Sequence, residues 1–293
     1  MATGQQRDST ATPVARVFRG EREVEAIDAA DRGLAYGDGV FETLRAHRGD
    51  APWWDAHWAR LRRGARALGL PVPEEAQVRD VACALLRGED AVLKVLLTRG
   101  VGGRGYAPPH AAVPTWVVSR HPLPPAPPEA GLRVRWCHTR LAIQPGLAGL
   151  KHCNRLEQVL ARAEAGMPGT DAPSSDERPS DEGLMLSTAG DVISATSANL
   201  FVLRDGQWWT PPVTGCGVAG ICRAWVLAHA PAGEAVMAPR DVEAADAVFL
   251  CNAVRGILPV ARLATRCWAR HPRLEALRAQ FAADVPAFAL ETP

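Results

Sequence analysis

AGLKHCNRLEQVLAR, residues 148–162, sets a lysine just ahead of a helical pattern in a chain that otherwise avoids lysine. Lys94 and Lys151 are the only lysines among 33 basic residues, so arginine serves wherever an ordinary surface cation is wanted. An ammonium, unlike a guanidinium, can lose its proton near neutral pH and attack the carbonyl of an aldehyde. Lys151 is therefore a candidate for Schiff-base chemistry, against the plainer alternative of a lysine snorkelling from a strand end. Asn154 and Glu157 have the spacing of a helix N-cap and its reciprocal partner, and Leu156, Val159, Leu160 and Ala163 then recur at helical spacing up to Gly166 and Pro168. The pattern predicts a helix whose positive end lies beside Lys151 and lowers its pKa.

Upstream of this stretch, the tail 1–13 is polar and aperiodic. Strands are expected at 14–18, 39–46 and 114–119, and helices at 55–68 and 74–87. Residues 91–98 read as a buried strand with Lys94 inside it. Gly100, Gly102 and Gly105 formally spell a dinucleotide fingerprint, but Pro108 and Pro109 forbid the helix it must open. That loop instead suggests a turn presenting Arg104 to an anion, or a plain hairpin. The proline-rich run 121–131 marks a linker, which divides an N-terminal α/β domain at 14–120 from a C-terminal domain at 132–293.

Downstream, 166–183 is acidic and polar and reads as a mobile, dispensable surface loop. Residues 192–203 read as one extended stretch. Gly215, Gly217 and Gly220 then lead to a helix near Ile221, a ready phosphate cradle if its amides point outward. A strand over 247–251 and a closing helix over 272–283 complete the pattern.

At 293 residues the chain is long enough for two domains. Net charge is +1 and no basic run carries interleaved aromatics, which argues against nucleic-acid binding. Seven cysteines without a CxxC pair, no signal peptide and no long apolar span point to a cytoplasmic protein without membrane attachment.

Several motifs in order carry a resemblance. DRGLAYGDGVFETLR (31–45), HWARLRRGARALGLP (57–71), LLTRGVGGRGY (96–106), the lysine stretch, SANLFVL (197–203) with TPP (210–212), GVAGICR (217–223), and CNAV (251–254) with PV (259–260) together resemble the fold-type IV pyridoxal-phosphate enzymes. That group holds branched-chain and D-amino-acid aminotransferases and aminodeoxychorismate lyases, and the lysine stretch is most similar to the lyases. The resemblance spans about residues 31–260. It implies a two-domain α+β/α/β fold, a smaller N-terminal and a larger C-terminal domain with pyridoxal 5′-phosphate between them, and a homodimer.

By the same resemblance Lys151 is the Schiff-base lysine and proton-transfer base, and Arg60 holds the cofactor phosphate. The amides of Ile221 and Cys222 complete the cradle, with Asn252 and Ala253 on its other side. Asn199, Thr196 and Ser197 border the cofactor pocket, while Tyr36 and Arg104 face the substrate. One departure matters: where the family commonly has a carboxylate for the pyridine nitrogen, this chain has Ser194, five residues before Asn199. The implied reaction is conversion of 4-amino-4-deoxychorismate to 4-aminobenzoate and pyruvate. The alternatives are an aminotransferase on the same fold and a non-catalytic binding protein, for which Ser194 is the only support.

Overall fold

The computed structural model describes residues 14–166 and 180–289. The N-terminal tail 1–13, and residues 167–179 of the loop expected at 166–183, lie outside the described residues. The chain forms two sheets. β1 (Val14–Arg19) and β2 (Arg22–Val24) make a hairpin through Gly20, whose φ of +60° suits glycine. The one-turn α1 (Arg32–Tyr36) is capped by the Asp31 carboxylate and precedes β3 (Gly39–Ala46).

α2 (Trp54–Leu68) buries Trp54, Trp58, Leu61 and Ala65, a stripe of helical period, and ends on the left-handed Gly69. α3 (Glu75–Leu86), β4 (Ala91–Thr98) and β5 (Thr115–His121) complete the first unit, with antiparallel strand order β2-β1-β5-β4-β3. Its core holds Leu93, Leu97 and a stacked Phe18–Trp116 pair at 3.9 Å. β3 is therefore an edge strand, with one row of backbone groups available to another segment.

The second unit opens with β6 (Leu132–Trp136), runs through Lys151 to α4 (Leu156–Ala163), and continues with β7 (Glu182–Leu186), β8 (Val192–Ala195), β9 (Asn199–Arg204) and β10 (Gln207–Thr210). α5 (Ile221–His229), β11 (Ala232–Glu234) and α6 (Pro239–Glu243) lead to the hairpin of β12 (Ala247–Asn252) and β13 (Gly256–Leu263). β14 (Arg266–Cys267) pairs with β13, and α7 (Pro272–Asp284) packs over the sheet through Leu274, Leu277 and Phe281. The mixed sheet runs β11-β10-β9-β12-β13-β6-β7-β8.

Three local expectations need correction, and one feature of packing was not announced by local spacing. The helix after Lys151 starts at Leu156 and has no side-chain cap; Asn154 donates to Gly37 O at 3.2 Å instead, and Glu157 accepts from Ala142 N at 2.8 Å. Both side chains found partners on other segments, which a local capping pattern cannot register. The apolar residues of α4 do not face a core: Leu156, Val159 and Leu160 are 75, 58 and 56 % exposed, and Ala161 is the buried one. The presumed single stretch 192–203 breaks at Thr196–Ala198, where Ala195 N donates to Ala198 O at 2.8 Å. Finally, Glu182 and Gly183 belong to β7 and not to the acidic loop.

Backbone pairing joins the two units. Residues 151–153 add to the free edge of β3, with Phe41 N donating to Lys151 O and Cys153 N to Gly39 O, both at 2.9 Å. Arg45 N and Nη1 donate to Ala253 O and Val254 O. Arg60 Nη1 donates to Ala219 O at 2.9 Å. Arg60 can reach across because Glu42 fixes it: Nε donates to Oε1 at 2.8 Å and Nη2 to Oε2 at 2.5 Å, while His57 Nδ1 bonds the same carboxylate at 2.6 Å.

Glu42, His57 and Arg60 are all buried. Burial alone would push the Glu42 carboxyl up, but the hydrogen bonds and charges of Arg60 and His57 outweigh it and hold it at about 2, against an ordinary value of 4.5. A carboxyl depressed on folding stabilises the protein above its unfolded pKa, and that stability is lost as pH falls through the folded value. Denaturant unfolding followed against pH should thus show a Glu42-dependent loss between about pH 4.5 and about 2. Glu42→Gln should remove that loss and cost about 3 kcal/mol at neutral pH, because it leaves the Arg60 charge buried without its partner.

Candidate active site

The junction encloses a cavity of about 390 Å³. Phe41 and Thr43 of β3 and Arg60 of α2 line one side, and Lys151, Arg155 and Gln158 enter from the lysine segment. Opposite lie Ser194, Thr196, Ser197 and Asn199 from the β8–β9 turn, with Gly217, Gly220 and Ile221 at the start of α5. Asn252 and Ala253 close the wall. A wider groove of about 600 Å³, between α7 and the proline-rich segment, is lined by Arg45, Arg255 and Arg278 but offers no lysine.

Lys151 is placed by backbone bonds on both sides. Its carbonyl pairs with β3, and two residues earlier Gly149 N donates to Gly217 O at 3.0 Å while Ala219 N donates to Gly149 O at 3.1 Å. Arg155 adds a brace, donating to His152 O at 2.9 Å and to Leu150 O at 3.0 Å. The Lys151 ammonium lies 4.3 Å from the Phe41 ring centroid. Burial pulls its pKa down first; the Arg60 charge adds to this, Glu42 opposes it, and Arg155 and Lys94 lower it further, to about 8. The depression expected beside a helix end is therefore present, but its cause is desolvation and guanidinium charge, because the helix starts five residues later.

The α5 end has the construction of an anion cradle. Gly220 is its N-cap, without a side-chain cap bond, so the first-turn amides are not claimed by a capping side chain. A Cβ at Gly220 would stand 2.1 Å from Asn199 Oδ1, so only glycine fits. Asn199 holds this loop by donating from Nδ2 to Val218 O at 3.0 Å. Arg60 spends three of its N–H groups on Glu42 and Ala219, which leaves two for a ligand. A cation with two N–H groups, a helix N-terminus and a lysine of depressed pKa on one cavity fit pyridoxal 5′-phosphate, which presents a phosphate and an aldehyde.

Of the residues singled out in the sequence, Lys151, Arg60, Ser194, Thr196, Ser197, Asn199, Ile221, Asn252 and Ala253 meet on this cavity. Cys222 lies fully buried behind Ile221, so its thiol is internal and its backbone is what the helix end offers. Tyr36 and Arg104 are exposed and do not line their own chain's cavity. Tyr36 packs against Tyr106 at 5.4 Å and accepts from Gly105 N, while Arg32 donates to Gly105 O, Tyr106 O and Ala107 O. Lys94 also departs from expectation: its side chain is exposed and stands 5.3 Å from the same Phe41 ring as Lys151.

Sequence reasoning overlooked Arg155, Gln158, Thr43 and the Glu42–His57 support. Arg155 had no helical spacing to mark it, because α4 begins only at Leu156 and residues 151–153 pair with β3. Glu42 and His57 meet only across two elements, and no spacing announces them.

The model of the family described as Amino-transferase class IV matches residues 39–263. The chain is 37 % identical over 243 residues to the aminodeoxychorismate lyase of Vibrio harveyi, covering 80 % of this chain and 86 % of that one. It is 26 % identical over 259 residues to a D-alanine aminotransferase of Bacillus licheniformis, covering 82 % and 84 %. Among solved structures, the 4-amino-4-deoxychorismate lyase of Pseudomonas aeruginosa superposes with a TM-score of 0.81 at 39 % identity, over 92 % of this chain and 99 % of that one. With the family model matching residues 39–263 and a relative 37 % identical over 80 % of the chain, the chain belongs to the aminotransferase class IV family.

Proposed function

We propose that the chain is a pyridoxal-5′-phosphate-dependent aminodeoxychorismate lyase, converting 4-amino-4-deoxychorismate to 4-aminobenzoate and pyruvate. The observation that carries this is Lys151, an amine of pKa about 8 facing an anion cradle, in a chain 37 to 39 % identical to such lyases. When bound, the cofactor supplies the electron sink for loss of a proton next to the amino group. Arg60 and the amides of Ile221 and Cys222 hold its phosphate, and Asn199 keeps that loop in place. Lys151 would hold the cofactor through its aldehyde and, as a free amine, would take the ring proton from the amino-bearing carbon of the substrate. The C–O bond of the enolpyruvyl ether breaks as that proton leaves, the ring becomes aromatic, and the released enolpyruvate takes up a proton on its methylene carbon to become pyruvate.

The substrate carries two carboxylates, and Arg155 and Lys94 bring positive charge to the Lys151 side of the cavity. The enzyme works as a homodimer: the exposed Leu156, Val159 and Leu160 form an apolar stripe suited to a second copy. Tyr36 and Arg104, outside their own cavity, reach a substrate through that pairing. Among the described residues no helix is long and apolar enough to cross a membrane, and we assign the chain to the cytoplasm.

Ser194 separates the lyase reading from the aminotransferase one. A carboxylate at this position would keep the ring nitrogen protonated and the sink strong, whereas the buried serine offers only a neutral hydrogen bond. Elimination is helped by aromatisation, so it tolerates a weaker sink than amino transfer does. The direct test is release of 4-aminobenzoate and pyruvate from 4-amino-4-deoxychorismate, with a keto acid and amino donor supplied in parallel.

Three outcomes are expected. Borohydride reduction and peptide mapping should place the cofactor on Lys151; label on Lys94 would refute the assignment. Lys151→Ala and Lys151→Arg should both lose at least about 10³-fold in turnover, because nucleophile and base are one amine. Ser194→Glu should raise amino transfer to pyruvate relative to 4-aminobenzoate formation, measured as the ratio of the two products, and an unchanged ratio would remove Ser194 from control of the reaction.

A further inference from the structure

Glu182 opens β7 with its side chain buried, at a position where the sequence suggested the end of a dispensable loop. Its carboxylate is crowded with donors. Oε1 accepts from Thr196 Oγ1, from Gly183 N at 2.9 Å and from Arg162 Nη1 at 3.2 Å, and Oε2 accepts from Ser197 Oγ at 2.6 Å. Arg162 belongs to α4 and donates also to Asp181 O at 3.0 Å. One side chain thus ties α4 to the β8–β9 turn, and Thr196 N donating to Gly183 O at 3.0 Å fastens the same turn to β7.

The chemical consequence follows from proton counting. An ionised carboxylate only accepts, so Thr196 and Ser197 each spend their single hydroxyl proton on Glu182. Toward the cavity they line, both oxygens can then offer lone pairs alone, with a negative charge directly behind them. Such a wall receives a hydrogen-bond donor and repels phosphate and carboxylate groups. Ser194 stands on the same wall without a charge of its own.

We propose that Glu182 is a positioning residue of the cofactor pocket, which orients the Thr196 and Ser197 hydroxyls as acceptors for the protonated ring nitrogen and supplies, one hydroxyl removed, the negative charge that Ser194 lacks. The inference rests on the proposed placement of pyridoxal 5′-phosphate in this cavity. It makes the acidic segment functional at its last residues, since removing 166–183 entire would delete the carboxylate.

The test compares two probes on the full-length protein freed of cofactor: pyridoxal 5′-phosphate, and its 1-deaza analogue, in which carbon replaces the ring nitrogen. Affinities are measured for wild type, Glu182→Gln and Ser197→Ala. Glu182→Gln should weaken pyridoxal 5′-phosphate by about tenfold and the deaza analogue by less than about twofold, the difference expected when a charge-assisted hydrogen bond to one ring atom is lost. Ser197→Ala should show the same selective loss on a smaller scale, and it decides the matter if Glu182→Gln does not fold. Equal weakening of both probes would mean that Glu182 only supports the fold, and no weakening of either would mean that it does neither; each overturns the proposal. A wild type that binds neither probe would instead refute the placement of the cofactor.

Discussion

The free edge of β3 is the constraint on which the site depends. Residues 151–153 complete that edge, and Gly149 is simultaneously paired to the glycine loop before α5. Lys151 is thereby held between two sheets by main-chain bonds, which tolerate little slippage because a one-residue shift would turn its side chain away. A nucleophile placed by a side chain alone would keep the freedom of that side chain. Here the backbone fixes the Cα, and the cavity walls leave the amine one direction.

That placement creates an electrostatic problem, since Arg60, Arg155 and Lys151 share a small cavity. Glu42 answers it. Its buried carboxylate pairs with Arg60, accepts from His57 and opposes the fall of the Lys151 pKa. Burial pulls His57 below its ordinary pKa, so its ring supports Glu42 through the hydrogen bond from Nδ1 more than through a charge. The balance leaves Lys151, with a pKa of about 8, able to be a free amine near neutral pH, which nucleophilic chemistry requires.

The far wall has the opposite polarity. The Thr196 and Ser197 hydroxyls stand in front of Glu182 on the cavity that Arg60 and Arg155 also line. A ligand with an anionic arm and a donor-bearing ring has one orientation that satisfies both sides. Ser194 therefore belongs to a wall whose charge is set back from the cavity.

Much of the architecture could be read from local patterns. Helical periodicity with a terminal glycine marked α2, and a nearly continuous apolar run marked β4. The scarcity of lysine marked Lys151, and the spacing of Gly217 and Gly220 marked the cradle at α5. These are properties of single segments, so periodicity, composition and turn chemistry suffice to state them. What the tertiary structure decided concerns partners distant in the chain: Asn154 bonded to Gly37 instead of capping its helix, Glu182 recruited from a loop to a place behind the cavity wall, and Glu42 set beneath Arg60. Tyr36 and Arg104 were likewise kept off their own chain's cavity. A polar side chain bonds whichever donor or acceptor the fold brings within about 3 Å, and that choice is made only when the sheets meet.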